Sequence, residues 1–348
     1  MIKKLLAVVM CMLLPISLGA CSKKMEEASR EDLKMDTIIT IKAYGPNANE
    51  AVDTAYKRID EIEQMASRSI DTSDVNKINQ AAGKEYVKVH TEIIKMIEAS
   101  VKYSKLTNGA FDITVSPIIN LWGIGTVNER VPSDSEIKMK LPLVGYNNIS
   151  IDKTDMSVKL VKEGMSIDLG GIAKGFAADE VVKVFKKYSI KNAIINIGGS
   201  SVYTFGEKQD GTLWSVGIQH PRIEKNDSFA GIIRMPQQAL STSGDYQRYF
   251  MKGEIRYHHI INPATGYPAD AGVMSDTILI DSSIPDCNML ADILTKVTFV
   301  SGIDKGFKVI DGIPGVSCLA VTTDNKIYKS SAWKFAVDEF SPEFTVVN

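Results

Sequence analysis

The segment from Ser166 to Asp179, Ser-Ile-Asp-Leu-Gly-Gly-Ile-Ala-Lys-Gly-Phe-Ala-Ala-Asp, constrains this chain more than any other. Upstream, Ser157 to Val161 alternates apolar and polar residues as a strand does. Downstream, Ile172, Phe176, Val181, Phe185 and Tyr188 recur at helical spacing. The pattern predicts a strand and a helix that meet at Gly170-Gly171, with Asp168 where the strand ends. Adjacent glycines let the backbone turn sharply and let a ligand approach with no Cβ in the way. The first N–H groups of a helix lack intrahelical partners, so the joint is a candidate anion site to which Lys174 adds a full charge. A plain joint with a surface lysine fits these residues too. A Walker loop does not, because Lys174 is followed by Gly175 and Phe176, and the Rossmann glycine spacing is absent.

The chain has 348 residues, 44% hydrophobic and 24% charged, enough for one large core or two modest ones. A formal charge of −2 gives no footing for a nucleic-acid partner. The N-terminus has a different character. Lys3-Lys4 precedes an uncharged run from Leu5 to Leu14, and Leu18-Gly19-Ala20-Cys21 follows. This is the order of a signal peptide, with an apolar part too short for a comfortable span. Cys21 after Leu-Gly-Ala resembles the lipobox of bacterial lipoproteins, where that Cys is lipidated. The expected division is a signal peptide over 1–20, a lipidated polar tether over 21–33 and one catalytic domain over 34–348. Of the four Cys, Cys287 and Cys318 could pair in an oxidising compartment but fix no framework, and they read as buried small apolar residues with no zinc spacing.

Met35 to Tyr44 alternates like a strand, and Asn47 or Asn49 can cap a helix with Val52, Ala55, Ile59 and Ile62 on its apolar face. A second amphipathic helix uses Ile93, Ile94, Ile97 and Val101 and breaks at Asn108-Gly109. Beyond the central helix come the buried strand Ala193 to Ile197, closed by Gly198-Gly199, and several short strands. A helix over Asp286 to Val300 and a closing hairpin complete the chain. Interspersed helices and short antiparallel strands predict an α+β fold, continuous and divisible into two lobes.

Four polar clusters lie far apart in sequence: Ala110-Phe111-Asp112, Ser241-Thr242-Ser243-Gly244-Asp245-Tyr246, His258-His259-Ile260-Ile261-Asn262-Pro263-Ala264-Thr265-Gly266, and Met289-Leu290-Ala291-Asp292. Each alone is ordinary; Thr-Ser-Gly-Asp is a common turn and Asn-Pro with Thr-Gly is common loop chemistry. Together with Asp-Leu-Gly-Gly-Ile-Ala-Lys-Gly, and in this order from Met35 to about Val300, they resemble the ApbE family, the FAD:protein FMN transferases of the bacterial thiamine-biosynthesis-lipoprotein type.

The resemblance implies a T-fold-related unit of mixed and antiparallel sheets with packed helices. It implies an Mg²⁺-dependent enzyme that cleaves the pyrophosphate of FAD and moves FMN onto a Thr or Ser of an acceptor, releasing AMP. The implied acceptors are flavoprotein subunits of membrane redox complexes, and the implied location is extracytoplasmic, anchored by lipid to a bacterial membrane. By family position His259 is the active-site acid or base and Asp292 the catalytic carboxylate, which shares Mg²⁺ with the carbonyl of Gly171. Met35, Ala110, Phe111, Asp112, Asp168, Lys174, Thr242 and Ile260 match positions that line the family's FAD pocket; Phe111 reads as core too. Where the family has a Thr ligand four residues after the Asp, this chain has Lys296, with Thr295 one residue earlier. The expectation is weakened but surviving metal binding, with Lys296 swung aside and water or Thr295 completing the site. Two alternatives stay open: its charge stands in part for the cation, leaving weak Mg²⁺ affinity and an impaired enzyme, or a shifted helix register leaves it merely solvated. Two other readings stay open: an FAD pyrophosphatase with water in place of the acceptor, and a non-catalytic flavin-binding lipoprotein.

Overall fold

A computed structural model describes residues 26–223, 228–335, 337–338 and 340–347. The leader and Cys21 lie outside these described residues. The fold is α+β. Its spine is a nine-stranded sheet in the order Glu27–Lys34, Thr37–Tyr44, Asn192–Ile197, Ser201–Phe205, Gln238–Gly244, Val273–Asp281, Val316–Thr322, Lys326–Lys329 and Thr345–Val347. All neighbours in it pair antiparallel except the last two, which are parallel.

Both faces of this sheet are covered, so its central strands are apolar on both sides and read as continuous runs rather than alternations. Successive side chains still point opposite ways. Ala239, Ile278, Ile280, Cys318 and Ala320 enter the larger core. There the helices Ala48–Ala66, Thr91–Leu106, Ala173–Lys187 and Cys287–Ser301 pack their buried stripes. Leu240, Leu279, Leu319 and Val321 face the other way, into a smaller core. A three-stranded sheet built on Trp214–Gln219 and Phe229–Met235 covers that side. The two expected lobes are thus two cores on opposite faces of one sheet.

Three elements differ from expectation. Glu27–Lys34, read as tether, is an edge strand paired with Thr37–Tyr44 along its whole length. Only Ala28 is buried in it, and charged residues are what exposed edge strands carry. Gln238–Gly244, read as a turn, is a fully buried central strand. The strand before the central glycines ends at Leu160, and the helix starts at Ala173. Asp168 therefore lies in the loop between them. Gly170 and Gly171 do not take the left-handed φ that a sharp turn would need. Room is what their bareness provides: a Cβ on Gly171 would lie 3.3 Å from the Phe111 ring and 3.7 Å from Lys296 Cε.

Cys287 and Cys318 are buried free thiols, as read from the sequence. Among the described residues no helix is long and apolar enough to cross a membrane.

Candidate active site

The alternation of the Gln238–Gly244 strand builds the base of the site. Ser241 and Ser243 share the face of Ala239, toward the Cys287–Ser301 helix, while Thr242 points to the other face. Ser241 Oγ donates to Asp292 Oδ1 at 2.7 Å, and Ser201 Oγ, from the neighbouring strand, donates to the same oxygen at 2.5 Å. The N–H of Gly175 donates to Asp292 Oδ2 at 2.7 Å. One of the N–H groups expected to cradle an external anion, that of Gly175, thus already faces the buried carboxylate of Asp292. Ser243 Oγ donates to Thr295 Oγ1 at 2.8 Å, and Thr295 Oγ1 donates to the Asp292 carbonyl at 2.8 Å.

Lys296, one turn beyond Asp292, does not swing aside. Its Nζ donates to the carbonyl of Asp292 at 2.7 Å and to that of Gly171 at 3.3 Å. Burial, with the nearby charge of Lys174, lowers its pKa to about 8 against the attraction of Asp292 and Asp276, so it remains an ammonium at neutral pH. Lys174 donates to Ser200 Oγ in the Gly198–Ser200 turn. Its pKa is lowered too, by burial and by Arg248, with Asp292 opposing.

His259 stands beside these cations. Its N–H and its Nδ1 both approach the Arg248 carbonyl, the ring nitrogen at 3.2 Å. A carbonyl can only accept, so Nδ1 carries the proton and Nε2 the lone pair. Burial, with the positive charge of Arg248 and Lys296, lowers His259 to about 3, and the ring is neutral at pH 7. His258 points away, with Nε2 donating to the Ala269 carbonyl at 2.9 Å.

The remaining predicted residues fall into two groups. Phe111 packs into the main core and also walls Gly171. Beside it Ala110 is buried, and Asp112 accepts from Thr114 N–H, Thr114 Oγ1 and Tyr146 N–H, a loop anchor rather than a free carboxylate. Asp168 accepts from Gly170 N–H at 2.7 Å and pairs with Arg68 at 3.3 Å, fixing the glycine loop. The second group sits at the sheet end. Met35 has a left-handed φ in the first hairpin turn, and its N–H donates to Glu63 at 2.9 Å. Two residues on, Thr37 presses against Gly198, where a Cβ would lie 2.5 Å from its hydroxyl. Thr242 lines a cleft of about 440 Å³ between the two sheets, with Asn196, Ser215, Gln219 and Gln247. Ile260 instead joins a small core with Phe299 and Val273.

Sequence reasoning did not assign Ser200, Ser201 or Arg248. Arg248 follows the quoted Ser241–Tyr246 cluster by two residues, and only the hairpin that brings its carbonyl to His259 gives it a place. Among the described residues there is no group of three or more His, Cys, Asp and Glu that could hold a metal.

The comparisons with known proteins point to one family. The ApbE family matches residues 35–320. A Klebsiella pneumoniae protein named FAD:protein FMN transferase is 30% identical over 315 residues, covering 90% of this chain and 95% of its own. The ApbE protein structure from Thermotoga maritima superposes with a TM-score of 0.79 at 33% identity, covering 88% of this chain and 97% of its own. The flavin transferase ApbE from Vibrio cholerae gives 0.78 at 28% identity, covering 88% and 98%. The chain belongs to the ApbE family.

Proposed function

We propose that this protein transfers FMN from FAD to a Thr or Ser hydroxyl of an acceptor protein. One observation carries the reading. Lys296 sits on the Gly171 carbonyl within the field of Lys174, and Arg248 acts on both Lys174 and the neutral imidazole of His259. Cleavage of a pyrophosphate builds charge on phosphoryl oxygens, and the protein's task is positioning and neutralisation. The acceptor oxygen attacks the phosphorus on the FMN side, and its proton passes to Nε2 of His259, which the bound pyrophosphate makes more basic by offsetting the charge of Arg248 and Lys296. The bond to the AMP phosphate breaks, and its electron pair leaves on the AMP oxygen. The uncharged polar cleft around Thr242 suits a heteroaromatic ring of the dinucleotide.

The family resemblance implies Mg²⁺ between Asp292 and the Gly171 carbonyl. The donor set here does not fit that ion. Three protein donors hold the Asp292 carboxylate, the Lys296 ammonium holds the Gly171 carbonyl, and Thr295 Oγ1 is engaged with Ser243 and Asp292.

The reading extends to place and partner. The leader ending in Cys21 supports a lipid-anchored protein on the extracytoplasmic side of a bacterial membrane, where flavoprotein subunits of redox complexes are within reach of a short tether. Direct titration tests the substrate: tight FAD binding is expected, and preference for NAD over FAD would contradict it.

A further inference from the structure

We propose that the ammonium of Lys296 is the resident cation of this site, so that the pyrophosphate of FAD is bound without a divalent ion. The inference deepens the flavin-transfer reading and rests on it. The position one helical turn after Asp292 is neighbour to it on the same face. A short hydroxyl there could ligate an ion lodged against Asp292. The four-carbon stem of Lys296 instead carries its nitrogen into that space, 2.7 Å from the Asp292 carbonyl and 3.3 Å from the Gly171 carbonyl.

The surroundings are arranged for a cation of this kind. Two carbonyl oxygens converge on Nζ, and the Asp292 carboxylate supplies compensating charge from a carboxyl group locked by Ser201, Ser241 and Gly175. An ammonium has three N–H donors. Two are engaged by carbonyls, and the third is free for a phosphate oxygen. A divalent ion placed here would meet a like charge within hydrogen-bonding distance of its carbonyl ligand, in surroundings that screen poorly. The fixed lysine forgoes the second unit of charge but needs no ion from solution. Lys174 and Arg248 make up part of that difference.

Two titrations test this on the intact protein. In the first, FAD binding is followed by flavin fluorescence in EDTA and in excess Mg²⁺. The wild type should bind equally in both, within about twofold, whereas Lys296→Thr should lose about tenfold in EDTA and regain it with Mg²⁺. In the second, Mn²⁺ alone is titrated and the free ion is read by electron paramagnetic resonance. Lys296→Thr should take up one Mn²⁺ that the wild type leaves in solution, and Lys296→Arg should behave as the wild type does. Stoichiometric Mn²⁺ uptake by the wild type, or FAD binding by it that collapses in EDTA, overturns the proposal. If neither protein binds FAD, the flavin reading fails, and the Mn²⁺ titration still decides what Lys296 does.

Discussion

The backbone N–H of Gly175 donates to Asp292 Oδ2 across 2.7 Å, which ties the first turn of one helix to the middle of another. The bond is possible because the two helices touch backbone to backbone. A Cβ on Gly175 would lie 2.2 Å from the Asn288 carbonyl oxygen and 2.8 Å from Met289 Cα. Gly175→Ala must therefore separate the helices and lengthen the bond that orients Asp292. A loss of about 3 kcal/mol in urea unfolding is expected, with transfer activity falling in the protein that remains folded. A variant as stable and active as the wild type would mean the contact is looser than this geometry.

Much of this was legible in the sequence, and the failures share a physical cause. The helices Ala48–Ala66 and Thr91–Leu106 follow from periodicity because each buries one stripe, whereas Cys287–Ser301, buried on nearly every side, reads as an apolar run of helical length. The Gln238–Gly244 strand was not legible, because Ser-Thr-Ser-Gly has turn composition. Its polar side chains are buried only because tertiary neighbours satisfy them: Asp292 for Ser241, Thr277 for Thr242 and Thr295 for Ser243. No local signal carries such partners. The edge strand Glu27–Lys34 was hidden for the opposite reason, since it buries almost nothing. The posture of Lys296 also required the fold, because spacing places it near Asp292 and cannot say which carbonyls its stem will reach.

Asp292→Ala leaves three donors facing a void: the hydroxyls of Ser201 and Ser241 and the N–H of Gly175. It should reduce transfer by removing the charge that holds the lysines in place. It should also cost stability, on the order of 2–4 kcal/mol, because buried donors without acceptors are expensive. Chemical denaturation alongside turnover separates the two effects. Undiminished turnover would remove Asp292 from the mechanism.

The Asp276 carboxyl is fully buried, accepts from the Cys318 thiol at 2.9 Å, and is pushed up to about 7 by burial against an ordinary value of 3.8. The folded protein therefore keeps a proton that the unfolded chain has released. Stability from this group is fully present below pH 3.8 and is lost as pH rises through 7. The cost of ionisation reaches up to roughly 4 kcal/mol. Asp276→Asn should flatten that part of the stability profile. Parallel profiles for the two proteins would show that Asp276 titrates normally.

Cys21 follows Leu18-Gly19-Ala20 at the end of the leader. With Cys21→Ser the protein should leave the membrane fraction and appear in the soluble extracytoplasmic pool, its catalytic domain unchanged. Retention of the variant in the membrane fraction would contradict lipid anchoring at this residue.

The most direct test of flavin transfer counts AMP released and FMN attached in one reaction of protein, FAD and an acceptor domain that carries a reactive Thr. Chromatography gives the AMP, and intact mass gives the acceptor. The account predicts one AMP for each FMN-bearing acceptor, no transfer to an acceptor whose Thr is replaced by Val, and loss of both products with His259→Ala. AMP and free FMN accumulating beside an unmodified acceptor would contradict it and identify an FAD pyrophosphatase.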